Sequence, residues 1–166
     1  MFKLFIAGLK EGISHQERAV RPAELNLAED GEFQHDVTVR LEIDKVARNI
    51  FVVADLDTNL ALVCDRCAEP FEEPLAEKYR MLFTTDTDMA NDEDESTFLI
   101  HDTVDEVDLT EPLRETMMLA LPFKRLCRSE CLGLCDRCGA NLNVTKCQCK
   151  TNPIDPRWDK LKSLLD

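Results

Sequence analysis

Hydrophobic and polar residues alternate most clearly in residues 35–44, HDVTVRLEID. Apolar side chains at every second position predict a strand that buries one face and exposes the other. We therefore expect a strand here, with four side chains that face the core: Val37, Val39, Leu41 and Ile43.

Four further segments extend this pattern. Residues 49–56 (NIFVVADL) and 59–64 (NLALVC) are predicted to form two separate strands, and residues 97–100 (TFLI) an additional edge strand. Residues 73–83 (EPLAEKYRMLF) alternate through Leu75, Tyr79, Met81 and Phe83. Because short polar links join the strands predicted at residues 35–44, 49–56 and 59–64, we expect an antiparallel meander.

The beginning of the chain has a less regular pattern. MFKLFIAGL, residues 1–9, is almost continuously apolar, which predicts a strand buried on both faces. Residues 11–34 are polar and turn-rich, and DGEF at 30–33 is a turn signal. We therefore assign no regular element to residues 11–34.

Two helices are predicted. The first covers about residues 110–120, with Thr110 as the N-cap and Pro112 in the first turn, where a missing N–H costs nothing. Pro122 would end it, and its apolar face would contain Leu113, Met117 and Leu121. A closing C-terminal helix is expected in DPRWDKLKSLL, because Asp155 and Pro156 are typical of a helix start.

These elements predict an α+β fold that is mainly antiparallel β-sheet, with one or two helices and a small C-terminal module resembling a zinc ribbon. We divide the chain into an acidic β-rich domain, residues 1–122, and a cysteine-rich metal-binding module with the closing helix, residues 123–166. Residues 86–95, DTDMANDEDE, are expected to be a mobile, solvated loop within the first domain.

Charge is distributed unevenly between these two parts. The net charge is −13, but residues 123–166 contain nine Lys or Arg and only five Asp or Glu, whereas residues 1–122 contain 11 and 28. An acidic surface repels a phosphate backbone, which argues against a general nucleic-acid binder. If the protein contacts RNA or another partner through cations, the candidates are Lys124, Arg125, Arg128, Arg137, Lys146 and Lys150.

The module contains six cysteines. Cys135 and Cys138 form a C-x-x-C-G turn, and Cys147 and Cys149 form a C-x-C pair after a short loop. Four thiolates at this spacing are typical of structural zinc. Cys127 and Cys131 are four apart and would share a face on one helical turn, so either is an alternate for Cys147 or Cys149. An iron–sulfur cluster is the rival interpretation, but the spacing matches no ferredoxin pattern.

Cys64 and Cys67 form a second C-x-x-C pair, which in a reducing compartment raises thiol–disulfide chemistry as an alternative function. Pro70 disfavours the helix that would activate the first thiol, so we expect an ordinary or raised pKa and a structural pair. The pair could also complete a second four-thiolate site with Cys127 and Cys131.

Other features exclude several classes of function. The first apolar segment is interrupted by Lys3 and lacks a cleavage region, and no apolar stretch approaches the roughly 20 residues of a membrane span. We therefore expect a cytoplasmic protein with reduced thiols and no membrane partner. Catalytic and phosphate-binding motifs are absent from the sequence, so neither an enzyme nor a small-molecule substrate is predicted.

Four segments occur in an order that resembles the YceD family, the large ribosomal RNA subunit accumulation proteins. They are CDRCAEPF (64–71), VDLTEPLRETMMLALP (107–122), CLGLCDRCGANLN with the later CQC (131–149), and DPRW (155–158). The resemblance implies a role in the synthesis, processing or stability of 23S ribosomal RNA, and so in assembly of the large ribosomal subunit.

The implied partners are large-subunit ribosomal RNA, a basic ribosomal protein, or both. Ribosomal proteins are mostly cationic, and an acidic body would attract them. The sequence therefore favours a non-enzymatic factor that contains structural zinc. The alternatives are a redox protein that uses Cys64 and Cys67, and a zinc-stabilised interaction scaffold unrelated to RNA.

Overall fold

The chain folds around one long, mostly antiparallel sheet. A computed structural model describes residues 1–87, 89 and 96–149. In chain order its elements are β1 (Lys3–Phe5), β2 (Gly12–Val20), a 3-10 helix (Pro22–Leu25), β3 (Val37–Val46), β4 (Asn49–Val63), β5 (Pro70–Thr84), β6 (Thr97–Leu99), β7 (Glu106–Asp108) and α1 (Thr110–Leu119).

Five strands form the main sheet, in the order β2-β3-β4-β5-β6, and β1 pairs with β7 in a separate two-stranded sheet. All pairs are antiparallel except β5 with β6. The predicted fold class, α+β with a mainly antiparallel sheet, is confirmed. Across the described ranges, no helix is long and apolar enough to cross a bilayer.

The core lies on one face of the main sheet. The alternating side chains of β3 are buried as predicted, and every second residue of β4 from Ile50 to Leu62, except Thr58, is buried beside them. This inner face is closed by apolar residues of the 3-10 helix, the small sheet and α1, namely Leu25, Leu4, Val107, Leu113 and Met117. The opposite face of the sheet carries mostly polar residues.

The first two strands differ from the sequence prediction. β1 is only three residues long and buries one face, because Leu4 packs in the core while Phe5 is 68% exposed. Residues 12–20, to which no element was assigned, form the nine-residue edge strand β2. An edge strand over the rim of the core needs few apolar residues, so its composition gave no periodic signal.

The long hairpin and the last edge strand also correct the prediction. Residues 49–56 and 59–64 belong to one 15-residue strand, β4, because β5 pairs with it without interruption from Asn49 to Val63. Predicted strand 97–100 is confirmed at the edge of the sheet, but it runs parallel to β5. A parallel neighbour requires a crossover connection and cannot be joined by a hairpin turn.

Helix α1 begins at Thr110, but its N-cap residue is Leu109, so the predicted N-cap is wrong by one position. The Thr110 hydroxyl is instead buried, where it accepts a 2.8 Å hydrogen bond from the Phe2 N–H and donates to the Asp108 carboxylate. Asp108 also accepts a 2.9 Å bond from the Thr110 N–H, and these bonds lower the pKa of its carboxyl group.

The predicted closing helix, and the acidic loop apart from residues 86, 87 and 89, lie outside the described residues. The division of the chain at residue 122 stays a prediction.

Replacing Thr110 with Val should lower the free energy of unfolding by about 1–3 kcal/mol, because the buried Phe2 N–H would lose its acceptor. Thr116→Val is the matched control, since its hydroxyl bonds only to the Pro112 carbonyl of the same helix. Urea unfolding followed by circular dichroism measures both. Equal losses in the two variants would show that the Phe2 contact contributes nothing.

Candidate metal centre

The eight cysteines meet in two groups of four. In the first group, the sulfur atoms of Cys64, Cys67, Cys127 and Cys131 lie within 4.8 Å of one another. The second group has the same compactness and contains Cys135, Cys138, Cys147 and Cys149. We call these groups the inner cluster and the outer cluster, because three thiols of the first are buried whereas two of the second are exposed.

The sulfur separations in the inner cluster fit a single tetrahedral ion. Cys64 Sγ lies 3.8 Å from Cys131 Sγ, and Cys67 Sγ lies 3.8 Å from Cys127 Sγ. These pairs form opposite edges of a tetrahedron. An ion with metal–sulfur bonds of about 2.3 Å places its ligands about 3.8 Å apart, whereas disulfide sulfurs lie about 2.05 Å apart. The described thiols are free, so the donor set fits a thiophilic metal.

The first half of the inner cluster is a tight turn between β4 and β5. The Ala68 N–H donates to the Cys64 carbonyl at 2.9 Å, and the Cys64 N–H donates to the Glu69 carbonyl at 3.0 Å. Closing this turn requires Ala68 to adopt a positive φ of 57°. The turn brings Cys64 and Cys67 to the same side of the hairpin end, where both sulfurs reach one point.

The outer cluster begins with the same turn. Residues 64–67 and 135–138 share the sequence Cys-Asp-Arg-Cys. Gly139 N–H donates to the Cys135 carbonyl at 2.9 Å, and Cys135 N–H donates to the Ala140 carbonyl at 2.8 Å. Gly139 has a positive φ of 69° and takes the same place in this turn as Ala68 in the first turn. The repeated tetrapeptide is the sequence signal that the two C-x-x-C pairs have one structural role.

The second half of the inner cluster comes from the segment after α1. Cys127 and Cys131 are not on a helix, so the predicted helical turn is wrong. Hydrogen bonds to the first turn hold this segment instead: the Asp65 N–H donates to the Arg125 carbonyl, and the Arg125 N–H donates to the Asp65 carboxylate, both at 2.8 Å. Arg125 is also ion-paired with Glu32 at 2.8 Å.

The turns supply N–H donors to the leading thiols. Backbone N–H groups of Cys127, Cys67 and Arg66 lower the pKa of Cys64 to about 6, against an opposing effect of burial. Those of Cys138 and Arg137 lower the pKa of Cys135 to about 7. The expected ordinary or raised pKa of Cys64 is therefore wrong. Pro70 is the first residue of β5, so no helix directly follows Cys64. The turn itself supplies backbone N–H donors to the Cys64 sulfur, as the first turn of a helix would have done.

The pKa values of other thiols in both clusters are raised. Burial and the neighbouring inner-cluster sulfurs raise the pKa of Cys127 to about 12. The hydrogen bond with Cys138, followed by burial, raises the pKa of Cys149 to about 12. In each group a thiol with a lowered pKa therefore lies beside one with a raised pKa, and a bound cation would favour the ionised form of all four.

Asn143 connects the two clusters, and sequence reasoning did not identify it. Its Nδ2 donates to Cys131 Sγ at 3.3 Å, and its Oδ1 accepts from the Leu132 N–H at 2.9 Å and from Arg128 at 2.6 Å. Asn143 lies in the loop between Cys138 and Cys147, so a residue of the outer loop stabilises a thiolate of the inner cluster.

A backbone contact supplements this side-chain link. The Leu134 N–H donates to the Arg66 carbonyl at 3.0 Å, and the Arg66 guanidinium donates to the Cys131 carbonyl at 2.8 Å. Gly133 has a φ of 76°, and a Cβ there would approach the Arg66 carbonyl oxygen to 3.0 Å. The outer module therefore packs directly on the first turn, at a position that favours glycine.

The lysines and arginines that the sequence suggested as partner contacts fall into two groups, those with partners inside the protein and those exposed at its surface. Arg125 is neutralised by Glu32, and Arg128 is occupied by Asn143, so both have structural roles. Lys124, Arg137 and Lys146 are exposed. Lys150 lies outside the described residues.

Comparison with known proteins agrees with the resemblance seen in the sequence. Residues 52–165 match the family described as large ribosomal RNA subunit accumulation protein YceD. An uncharacterized protein of Mycobacterium tuberculosis is 30% identical over 128 residues, which cover 75% of this chain and 60% of the relative.

Two plant relatives carry a functional name. The large ribosomal RNA subunit accumulation protein YCED homolog 1, chloroplastic, of Arabidopsis thaliana is 25% identical over 156 residues, 78% of this chain and 49% of the relative. The Zea mays protein of the same name is 27% identical over 143 residues, which cover 69% of this chain and 46% of the relative. The chain thus spans about half to three fifths of the length of these relatives. No solved structure matches significantly.

The Asn143 link generates a prediction. In Asn143→Asp, the oxygen that accepts from Leu132 and Arg128 remains, but the donor to Cys131 is lost and a negative charge is added beside the thiolates. A hydrogen bond to a charged acceptor contributes roughly 1.5–3 kcal/mol, so its loss raises the pKa of Cys131. Because the thiolate is the form that reacts, alkylation of Cys131 in the metal-free protein should slow about several-fold or more near neutral pH.

Asn59→Asp is the control for this substitution, because Asn59 is exposed on β4 and makes no side-chain hydrogen bond within the described ranges. Mass spectrometry of iodoacetamide-treated protein measures the rate at each cysteine. The same rate at Cys131 in the parent and in Asn143→Asp would contradict the link.

Proposed function

Since the chain belongs to the YceD family, we propose that it is a non-enzymatic factor for the accumulation of 23S ribosomal RNA, and so for biogenesis of the large ribosomal subunit. Two structural zinc ions would hold its contact module. The observation that carries this proposal is the assembly of all eight cysteines into two four-thiol sets within a chain of this family. We place the protein in the cytoplasm, where thiols remain reduced.

Zinc is the metal that this donor set suits best. Four thiolates in a closed set are typical of structural zinc, which supplies folding free energy and offers no open position for a substrate. The 3.8 Å sulfur separations agree with one ion in the inner cluster. The proposed ligands are therefore Cys64, Cys67, Cys127 and Cys131 for one ion, and Cys135, Cys138, Cys147 and Cys149 for the other.

The low pKa of Cys64 supports ligation as readily as redox chemistry, because a cysteine must be ionised to bind metal. A thiol–disulfide enzyme needs its first thiol accessible, whereas Cys64 is buried against Cys131. We therefore favour the structural role. Reduction of insulin by the metal-loaded protein would support the redox alternative instead.

The RNA contact is proposed for the exposed cations of the cysteine-rich module. Residues 123–149 contain five Lys or Arg and two Asp or Glu, beside a strongly acidic sheet. Metal binding at both clusters would fix the backbone of residues 123–149 and so fix the spacing of Lys124, Arg137 and Lys146. Phosphate contacts of this kind position a protein on RNA without reading its sequence.

Purified protein should contain about two equivalents of zinc, measured by elemental mass spectrometry. Cys138→Ser should reduce this to about one, because only the outer cluster loses a ligand. Cys64→Ser should disturb both clusters, because the outer module packs on the Cys64 turn through Leu134 and Arg66. Val144→Ser, an exposed change in the same module, should retain both ions.

A folded parent protein with less than one equivalent of any metal would contradict the zinc proposal. Two equivalents in Cys64→Ser or in Cys138→Ser would show that the substituted thiol is not a ligand.

Depletion of the protein in cells should lower 23S relative to 16S RNA, and the parent gene should restore the ratio. Lys124→Glu with Lys146→Glu should fail to restore it and should flatten the salt dependence of binding to purified large-subunit RNA by up to about two units of slope. Lys10→Glu with Arg48→Glu makes the same change in net charge outside the module and should behave like the parent.

An unchanged 23S to 16S ratio after depletion would contradict the ribosomal role and favour a zinc-stabilised scaffold unrelated to RNA.

A further inference from the structure

The outward face of the main sheet carries a contiguous apolar patch. Strand register places Ile13, Asp44, Phe51 and Leu82 in one row across β2, β3, β4 and β5. Side chains alternate between the faces of a sheet, and the neighbours of Phe51 on its own strand, Ile50 and Val52, are buried, so this row faces outward. We call Ile13, Val46, Phe51, Val53 and Leu82 the open-face patch.

These residues are not covered as a core would be. Ile13 is 65% exposed, Val46 is 50% exposed and Phe51 is 41% exposed. Val53 and Leu82 are half-buried between their neighbours. Single exposed apolar side chains are ordinary, but a contiguous group on the open face of a sheet is typical of an interaction site.

Unpaired carboxylates surround the patch. Asp44 lies in the Phe51 row, Glu42 lies between His15 and Val53 in the next row, and Glu17 lies one row further. Within the described part of the chain, no ion pair forms at these three carboxylates, although other charges of this face are paired: Arg40 with Asp57, and Lys78 with Asp55. One exposed cation, Arg80, lies opposite Val53.

Charge restricts what can bind here. Nucleic acids and anionic lipid surfaces would meet like charge, so neither is suited to this face. A second copy of the chain, docked face to face, would bring the same carboxylates together, which is unfavourable. A surface that combines exposed apolar groups with unpaired carboxylates is complementary to a cationic amphipathic segment.

We propose that the open-face patch binds a segment of another protein that presents apolar side chains beside Lys or Arg. The apolar side chains would cover Phe51, Ile13 and Val53, and the cations would pair with Glu42, Asp44 and Glu17. This site lies on the sheet and uses none of the cations assigned above to RNA. It is therefore a second contact surface, of opposite charge.

The test uses the full-length, metal-loaded protein and a defined probe. The probe is a fluorescent 16-residue peptide of Leu and Lys in amphipathic order, and its matched control replaces every Lys with Glu. Fluorescence anisotropy should detect binding of the Lys peptide only. Glu42→Lys with Asp44→Lys should weaken that binding about tenfold or more, and Phe51→Ser should weaken it several-fold, since charge pairs and a buried aromatic anchor usually dominate such contacts.

Glu29→Lys with Glu115→Lys provides the matched control, because it makes the same change in net charge at exposed positions off the main sheet. It should change the affinity less than about threefold. Zinc content and thermal unfolding of each variant establish that it is folded.

Three results would overturn the proposal. The first is no binding of the Lys peptide by the parent, and the second is an equal loss of affinity in the control. The third is evidence that the patch has a different occupant. A dimer of the parent seen by sedimentation, or binding of the parent to large-subunit RNA, that Phe51→Ser abolishes would be such evidence. The 23S to 16S ratio tests the ribosomal role separately, so failure of either idea leaves the other standing.

Discussion

The structure depends on the meeting of two thiols from the β4–β5 turn with two thiols from the segment after α1. These pairs are far apart in sequence: Cys67 and Cys127 are separated by 60 residues. If a metal acted as a covalent cross-link, closing a loop of this length would stabilise the fold by roughly 4 kcal/mol, against roughly 2.5 kcal/mol for the short loop of the outer cluster. The inner cluster thereby fixes the position of residues 123–149 relative to the sheet.

The outer cluster is built on that position. Its first turn repeats the Cys-Asp-Arg-Cys geometry of the inner one, but three of its four thiols are exposed or half-exposed. It adjoins the inner cluster through the Arg66 carbonyl, Gly133 and Asn143. The two ions would therefore differ in stability, the inner one being protected by the sheet and the outer one by the loop that it organises.

The sequence predicts the elements whose signal is local. Alternation in residues 35–44 identifies β3, and the short spacings of Cys135, Cys138, Cys147 and Cys149 indicate that those four thiols belong together. Spacing alone left the partners of Cys64 and Cys67 open, because the fold, and not a local motif, brings them to Cys127 and Cys131. Strand β2 was missed for a related reason: its side chains cover only the rim of the core, so burial imposed no alternation. The parallel placement of β6 depends on a crossover that no local pattern records.

Charge separation gives the protein two chemically different surfaces. The sheet carries carboxylates and exposed apolar groups, whereas the module carries Lys124, Arg137 and Lys146 around a thiol-rich centre. The two proposed contacts, RNA at the module and a cationic protein segment at the sheet, fit this arrangement, because each surface would repel the partner of the other.

Zinc-edge X-ray absorption of protein purified without added metal tests the central claim most directly. Two all-thiolate ions predict about four sulfur neighbours per zinc at about 2.3 Å, with no nitrogen or oxygen in the first shell. A mixed shell of sulfur with nitrogen or oxygen, or no zinc in a folded protein, would contradict the claim that these eight cysteines hold the module on the sheet through metal.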